Sequence, residues 1–216
     1  MGRELKQVEA ALAHDLNNYL QVIMGNLELL RRRGEFVPEI VQAALQATRN
    51  AAQLADRVVA ISRLQRHEPR NIDINRLLGE LEPMIARTVG DAIHVQLHLA
   101  AGLREAFADP HALQVALVEL AANARKAMPA GGRLAIRTAN APGAEVLLEL
   151  ADSGGGMSPE TLARAFEPQL PSAEGDRPAG LGLLIVHRCM RQAGGRVELD
   201  SGAAGTSIRL YLPEAK

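Results

Sequence analysis

Four short stretches of this chain combine residue types and spacings that could do chemistry. In ALAHDLNNYLQVI, residues 11–23, a polar knot of His14, Asp15, Asn17 and Asn18 interrupts an otherwise apolar run. It is either the wet side of an amphipathic helix or a histidine presented for reaction. In ELAANARK, residues 119–126, Glu119 and Asn123 are four apart and share one helix face, with Lys126 a turn further on. A carboxylate and an amide oxygen can ligate Mg²⁺ or orient a phosphate, and a lysine can neutralise one. The same spacing also occurs as plain surface decoration. In ADSGGGMS, residues 151–158, Asp152 leads into a turn with Gly154, Gly155 and Gly156. Such glycines let backbone approach a flat ligand, and the carboxylate can accept from an exocyclic amine; a tight turn alone would read the same way. In AGLGLLIV, residues 179–186, Gly180, Leu181 and Gly182 open a helix whose free N–H groups favour an anion. This is neither the Walker nor the dinucleotide pattern.

Those stretches need elements to hold them. Leu5, Val8, Leu12, Leu16, Tyr19, Ile23, Leu27 and Leu30 recur in steps of three and four, one stripe of a long helix over residues 3 to about 33. His14 lies two residues from both Leu12 and Leu16, off that stripe and accessible. RRRGEFVPE breaks the pattern with cations, Gly34 as a stop and Pro38 as a start. A second stripe follows through Val41, Ala44, Leu45, Thr48, Ala51, Leu54, Val58 and Ile61. The result is an antiparallel hairpin that cannot bury its stripe alone, so a homodimer forming a four-helix bundle is expected.

After RHEPRNIDI the pattern switches to strands and helices. AIHVQLHLA alternates, with Ile93, Val95, Leu97 and Leu99 on one face and His94 and His98 on the other. Residues four apart on a strand lie about 13 Å apart, too far for a shared metal. Asp109 and Pro110 should start a helix over ADPHALQVALVELAANARKAM, and Ser158 and Pro159 another over SPETLARAF. GLGLLIVHRCMRQAGG reads as a third helix. AGGRLAIRTANAPGAEVLLELAD reads as a hairpin, and RVELDS and TSIRLYL as the closing strands. The fold class is α+β: the hairpin, then an α/β sandwich with helices on one face of an antiparallel or mixed sheet. The expected boundaries are 1–67 and 68–216.

Composition narrows the partners. The net charge is -1 and aromatics are 2% of residues, leaving little to grip or stack a nucleic acid. No apolar run approaches the roughly 20 residues of a membrane span, and MGRELKQVEAAL lacks the apolar core of a secretory signal. The single cysteine, Cys189, lies in an apolar helical pattern and reads as a core thiol in a reducing compartment. A cytoplasmic location is expected, with no nucleic acid and no membrane segment in this chain.

Taken in order, the four stretches closely resemble one family, the sensor histidine kinases of two-component signalling. HDLNN is similar to its H-box, ELAANARKAM to the N-box, DSGGGMS to the G1 box, FEP to the start of the F-box, GLGL to the G2 box, and GGRVELDSGAAGTSIRLYLP to its closing strands. The resemblance covers essentially the whole chain. It implies a dimerisation and phosphoacceptor hairpin followed by a Bergerat-type (GHKL) ATP-binding domain. His14 would be the phosphorylated nucleophile, Asp15 the group polarising its ring, and Asn18 the position that orients water when such proteins dephosphorylate a partner. Asn123 would hold Mg²⁺, with Glu119 beside it as a second oxygen. Asp152 would bind the adenine amine, Gly154, Gly156, Gly180, Leu181 and Gly182 would shape pocket and lid, and Thr206 would lie near the base. The implied activity is ATP-dependent autophosphorylation at His14, then transfer to an aspartate of a response-regulator receiver domain.

The chain departs from the family at the lid. Gln169 and Leu170 replace two aromatics, Ala173 stands where a lysine is expected, and Pro178 replaces the first G2 glycine. Glu119 replaces the usual first asparagine of the N-box, and Lys126 and Arg177 partly offset the charge. A dimeric histidine phosphotransfer or phosphatase protein with a degenerate ATP domain therefore stays open beside the kinase. No sensor or receiver segment is expected within these residues, so the chain reads as an excised core or a stand-alone protein.

Overall fold

The computed structural model describes the backbone of residues 2–63, 68–167 and 182–215, and the side chains of 16–52, 54–55, 68–167 and 182–215. These residues form two units, each with its own packing.

The first unit is a helical hairpin of α1 (Gly2–Arg33) and α2 (Pro38–Arg63). Its turn follows from local chemistry. Gly34 adopts φ +70°, and its N–H donates to the Leu30 carbonyl at 3.0 Å, which closes α1. Pro38, with its φ already set, begins α2. Leu16, Tyr19, Ile23 and Leu30 are half-buried, and Ala44, Ala47 and Leu54 are buried. The expected stripes shift in register at three positions. Ala47 takes the place expected of Thr48, whose hydroxyl instead donates to the Ala44 carbonyl at 2.8 Å, and Leu45 is exposed. Leu27 also leaves the stripe: with Leu20 and Met24 it forms a second apolar line that the hairpin itself leaves in solvent. The side chains of Leu5, Val8, Leu12, Val58 and Ile61 lie outside the described residues.

The second unit is an α/β sandwich. In chain order it comprises β1 (Arg70–Ile72), α3 (Ile74–Val89), β2 (Ile93–His98), β3 (Ala106–Ala108), α4 (Pro110–Ala127), β4 (Gly132–Ala141), β5 (Glu145–Asp152), α5 (Pro159–Ala163), α6 (Gly182–Gln192), β6 (Arg196–Gly202) and β7 (Gly205–Pro213). Five strands form a mixed sheet in the order β2-β4-β5-β7-β6, parallel between β2 and β4 and antiparallel elsewhere. β1 and β3 make a separate two-stranded antiparallel ribbon.

Alternation along the strands decides which face is covered. Leu134 and Ile136 of β4, Val146, Leu148 and Leu150 of β5, and Ile208, Leu210 and Leu212 of β7 are all buried. Against them lie Leu78 and Ile85 of α3, Leu113 and Leu117 of α4, and Val186 and Met190 of α6, all buried as well. The opposite face is charged. One register row runs His98, Arg137, Glu149, Arg209, Glu198 across all five strands. Its best pair, Arg209 Nε to Glu149 Oε1 at 3.2 Å, is partly exposed. Such pairs are worth about 0–1 kcal/mol, so the apolar layer carries the stability.

Two features differ from the sequence expectation. β2 ends at His98, so Leu99 falls beyond the strand and is exposed rather than continuing its inner face. The sequence reading also assigns no element to 74–89, yet α3 has every signal. Asp73 caps it by accepting from the Arg76 N–H at 3.0 Å, and Ile74, Leu78, Leu81, Ile85 and Val89 supply its buried stripe. Pro83 inside the helix masks the pattern. It is tolerated because the residue four before it is the exposed Gly79, whose carbonyl can turn to water.

Cys189 sits in α6 as expected of a core thiol. Burial, with the Asp109 charge adding to it, pushes its pKa up to about 12. The thiol should therefore react with an aromatic disulfide reagent only as the unit unfolds. A native-state reaction as fast as that of a free thiol at pH 8 would contradict this burial.

Candidate functional site

Asp152 is the last residue of β5, where the strand gives way to the glycine turn. Its Oδ1 accepts two backbone N–H groups, from Gly154 at 2.9 Å and from Thr206 at 3.3 Å. That leaves Oδ2 for another donor. Half-burial raises the carboxyl pKa above its ordinary value, while the two N–H bonds pull it back.

The glycines here are sites of contact. A Cβ on Gly156, at φ +71°, would stand 2.0 Å from the Gly202 carbonyl oxygen. One on Gly205, at φ +125°, would stand 1.9 Å from the Asp152 carbonyl oxygen. One on Gly154 would meet the Ala127 carbonyl at 2.6 Å, at the C-terminal end of α4. The Asp152 turn is thus clamped between the β6–β7 turn and α4, with backbone touching backbone on both sides.

A cleft opens beside it, lined by Leu120, Ala124, Leu134, Leu150 and Ile208, with Asp152, Gly156, Met157, Thr206 and Asn123 as its polar or main-chain members. Flat apolar walls with one carboxylate suit a planar ring carrying an amine. The cleft runs to α4, where Glu119 is buried and Asn123 half-buried. Both face Gly182, the first residue of α6. A Cβ there would lie 2.8 Å from Glu119 Oε2 and 3.1 Å from Asn123 Nδ2. Among the described residues Glu119 and Asn123 offer two hard oxygens here, a set that would suit Mg²⁺, which keeps several waters and takes substrate phosphate oxygens. Lys126 is exposed on the last turn of α4.

Asp152, Gly154, Gly156, Thr206, Glu119, Asn123 and Gly182 thus come together in one unit. His14, Asp15 and Asn18 lie on α1 of the other; Asn18 is exposed, and the side chains of His14 and Asp15 lie outside the described residues. Gly180, Leu181 and the lid positions Gln169, Leu170, Ala173, Arg177 and Pro178 also lie outside them. Sequence reasoning missed Gly202, Gly205 and Ser201 as parts of the site. The small-residue turn SGAAGT was their only local sign.

Comparison with known proteins agrees with this geometry. Residues 108–216 match the family "Histidine kinase-, DNA gyrase B-, and HSP90-like ATPase". Residues 4–67 match "His Kinase A (phospho-acceptor) domain". The chain is 33% identical over 226 residues to the sensor kinase CckA of Brucella abortus (strain 2308), covering 96% of this chain and 24% of that protein. It is 30% identical over 218 residues to the sensor histidine kinase ZraS of Escherichia coli (strain K12), covering 97% and 45%. It therefore spans less than half the length of these relatives. The same fold occurs in histidine kinase ThkA solved with the response regulator protein TrrA, at TM-score 0.76 and 18% identity over 99% of this chain and 63% of that one. It occurs again in full-length ShkA solved with AMPPNP, at TM-score 0.67 and 22% identity over 98% and 46%. The chain belongs to the sensor histidine kinases of two-component signalling.

The raised Asp152 pKa has a stability consequence. The folded state holds this proton more tightly than the unfolded one, so the contribution is favourable at low pH and is lost as pH rises through the shifted pKa. At neutral pH its charge is a cost to folding. Asp152→Asn keeps the Oδ1 acceptor without that charge, so its thermal midpoint at pH 7 should equal or exceed the wild type's. The difference should shrink on acidification. A clear destabilisation at pH 7 in a melting experiment would count against this account.

Proposed function

We propose that this chain is the catalytic core of a histidine kinase: it binds ATP with Mg²⁺, transfers the γ-phosphoryl group to His14, and passes it to an aspartate of a response-regulator receiver domain. Residues 1–67 act as the dimerisation and phosphoacceptor domain and residues 68–216 as the catalytic domain. The observation that carries the reading is Asp152, with one oxygen locked in two main-chain bonds and the other left at the end of an apolar cleft. A carboxylate so held accepts from the adenine amine and rejects a carbonyl in its place.

In this reading the base lies between the cleft walls and the phosphates reach α4. Asn123, with Glu119 beside it, holds the Mg²⁺, which neutralises phosphate charge. The start of α6 at Gly182 leaves main-chain N–H groups for phosphate oxygens, a role that the family resemblance extends to Gly180 and Leu181. Lys126 and Arg177 replace part of the positive charge missing where Ala173 stands. The neutral His14 imidazole attacks the γ-phosphorus, its second N–H donates to Asp15, and ADP leaves with the bonding electrons. Catalysis is then mainly positioning and charge neutralisation.

The line of Leu20, Met24 and Leu27, exposed on one hairpin, supports a homodimer that buries it in a four-helix bundle. A cytoplasmic site of action fits a partner receiver domain; among the described residues no helix is long and apolar enough to cross a membrane. The altered lid favours a second reading, a dimeric phosphotransfer or phosphatase protein that draws its phosphoryl group from elsewhere. In either reading Asn18, one turn after His14 on the same face, orients the water that dephosphorylates the regulator.

Incubation with γ-labelled Mg-ATP separates the two. Acid-labile, base-stable label should appear on the wild type, vanish in His14→Gln, and fall at least about 10-fold in Asp152→Asn, which loses a charge-assisted hydrogen bond. No label and no ATP binding by the wild type would select the second reading. Separately, Asn18→Ala should slow regulator dephosphorylation by about 10-fold or more while leaving phosphotransfer intact; unchanged dephosphorylation would remove Asn18 from that role.

A further inference from the structure

Behind Thr206 stands a hydroxyl that does not reach the cleft. Ser201, on β6, accepts from the Met157 N–H at 2.9 Å, and its Oγ lies 2.9 Å from Thr206 Oγ1. Thr206 is buried and lines the cleft, and its own N–H donates to Asp152. Two turns therefore meet at one serine, the glycine turn through Met157 and the closing hairpin through Thr206, whose main chain also reaches the Asp152 carboxylate.

A hydroxyl has one proton and two lone pairs. We propose that Ser201 is a positioning residue: held by the Met157 N–H, it donates its proton to Thr206 Oγ1 and so fixes the Thr206 hydroxyl as a donor into the cleft. This rests on the nucleotide-binding reading above. The polarity runs in one direction, from Met157 N–H to Ser201 O–H to Thr206 O–H and then to the ligand, and chains of this kind strengthen each link. The wall then offers an acceptor, Asp152 Oδ2, next to a donor, the Thr206 hydroxyl. Adenine presents the complement: an amine flanked by two ring nitrogens, N1 and N7, that accept directly or through one water. Guanine puts a carbonyl where the amine should be. Were Thr206 to donate back to Ser201, its oxygen would face a ring nitrogen lone pair to lone pair. Ser201 thereby determines how strongly the site reads the ring nitrogen, without touching the base.

The test is a set of dissociation constants for ADP, 1-deaza-ADP and 7-deaza-ADP, measured on the full chain. The wild type should bind ADP about 3–10-fold more tightly than one of the two deaza analogues, the range expected for one neutral hydrogen bond. Ser201→Ala should cut that ratio to about 2-fold or less, and Ser201→Thr, which keeps the hydroxyl, should preserve it. In a Thr206→Val background the ratio should already be near 1, and Ser201→Ala should not change it further. A Ser201→Ala variant that weakens ADP and its analogues equally, or changes nothing, overturns the proposal and makes Ser201 a structural tie alone. A wild type that binds none of the three overturns the nucleotide reading and this proposal with it.

Discussion

Two main-chain contacts, Gly156 against the Gly202 carbonyl and Gly205 against the Asp152 carbonyl, leave no room for a single methyl group. Around them the rest of the α/β unit is arranged. Because the turns meet backbone to backbone, the Thr206 N–H comes within reach of Asp152 Oδ1, and Ser201 comes within reach of both turns. The carboxylate is therefore placed by main chain on both sides, and it presents its second oxygen in a fixed direction. A site that recognises a flat ring gains specificity from such rigidity, since mispositioned polar groups would have to be desolvated without a partner.

Helix α4 performs the matching task at the other end. Its inner side is mostly small: Ala112, Ala116, Ala121 and Ala124 are buried beside Leu113, Leu117 and Leu120. Small side chains let the helix lie close to the sheet and to α6, so that Glu119 and Asn123 meet the start of α6 at Gly182. Its N-terminus is tied equally firmly. Asp109 accepts from His111 and Ala112 of its own helix and from the Glu68 N–H at the entrance to the unit.

Much of this is legible in the residues. The long helical stripes, the Asp109 and Ser158 caps, the alternating strands and the glycine turn after Asp152 are local signals, and local signals survive in a linear text. The juxtaposition of Glu119, Asn123 and Gly182 follows from the resemblance to a family, not from spacing, because 59 or more residues separate α6 from those two. What stayed hidden has a physical reason in each case. Pro83 obscured α3 although its cap and stripe are regular, and the three-residue strands β1 and β3 are too short to alternate visibly. The exposure of Leu27 and Leu45 depends on how two helices roll against each other, which a periodic stripe does not specify. Ser201 and Gly205 meet the Asp152 turn through tertiary contacts across 44 or more residues, which no local pattern records.

The order of strands in the sheet has a bearing on how the unit is made. β7 follows β6 in sequence yet lies between β5 and β6, so β6 has no neighbour in the sheet until β7 is in place. β7 also brings the Thr206 N–H to Asp152, and the residues after it bridge back to the middle of the unit, where Ala215 N–H donates to the Glu105 carbonyl and Arg104 pairs with Glu214. Such distant pairings demand large loop closures and form late. During synthesis, the hairpin helices and the β4–β5 pair can form as soon as they emerge from the ribosome. The Asp152 end must wait for β7, so a chain still being translated has its helical hairpin before the Asp152 carboxylate is held from both sides.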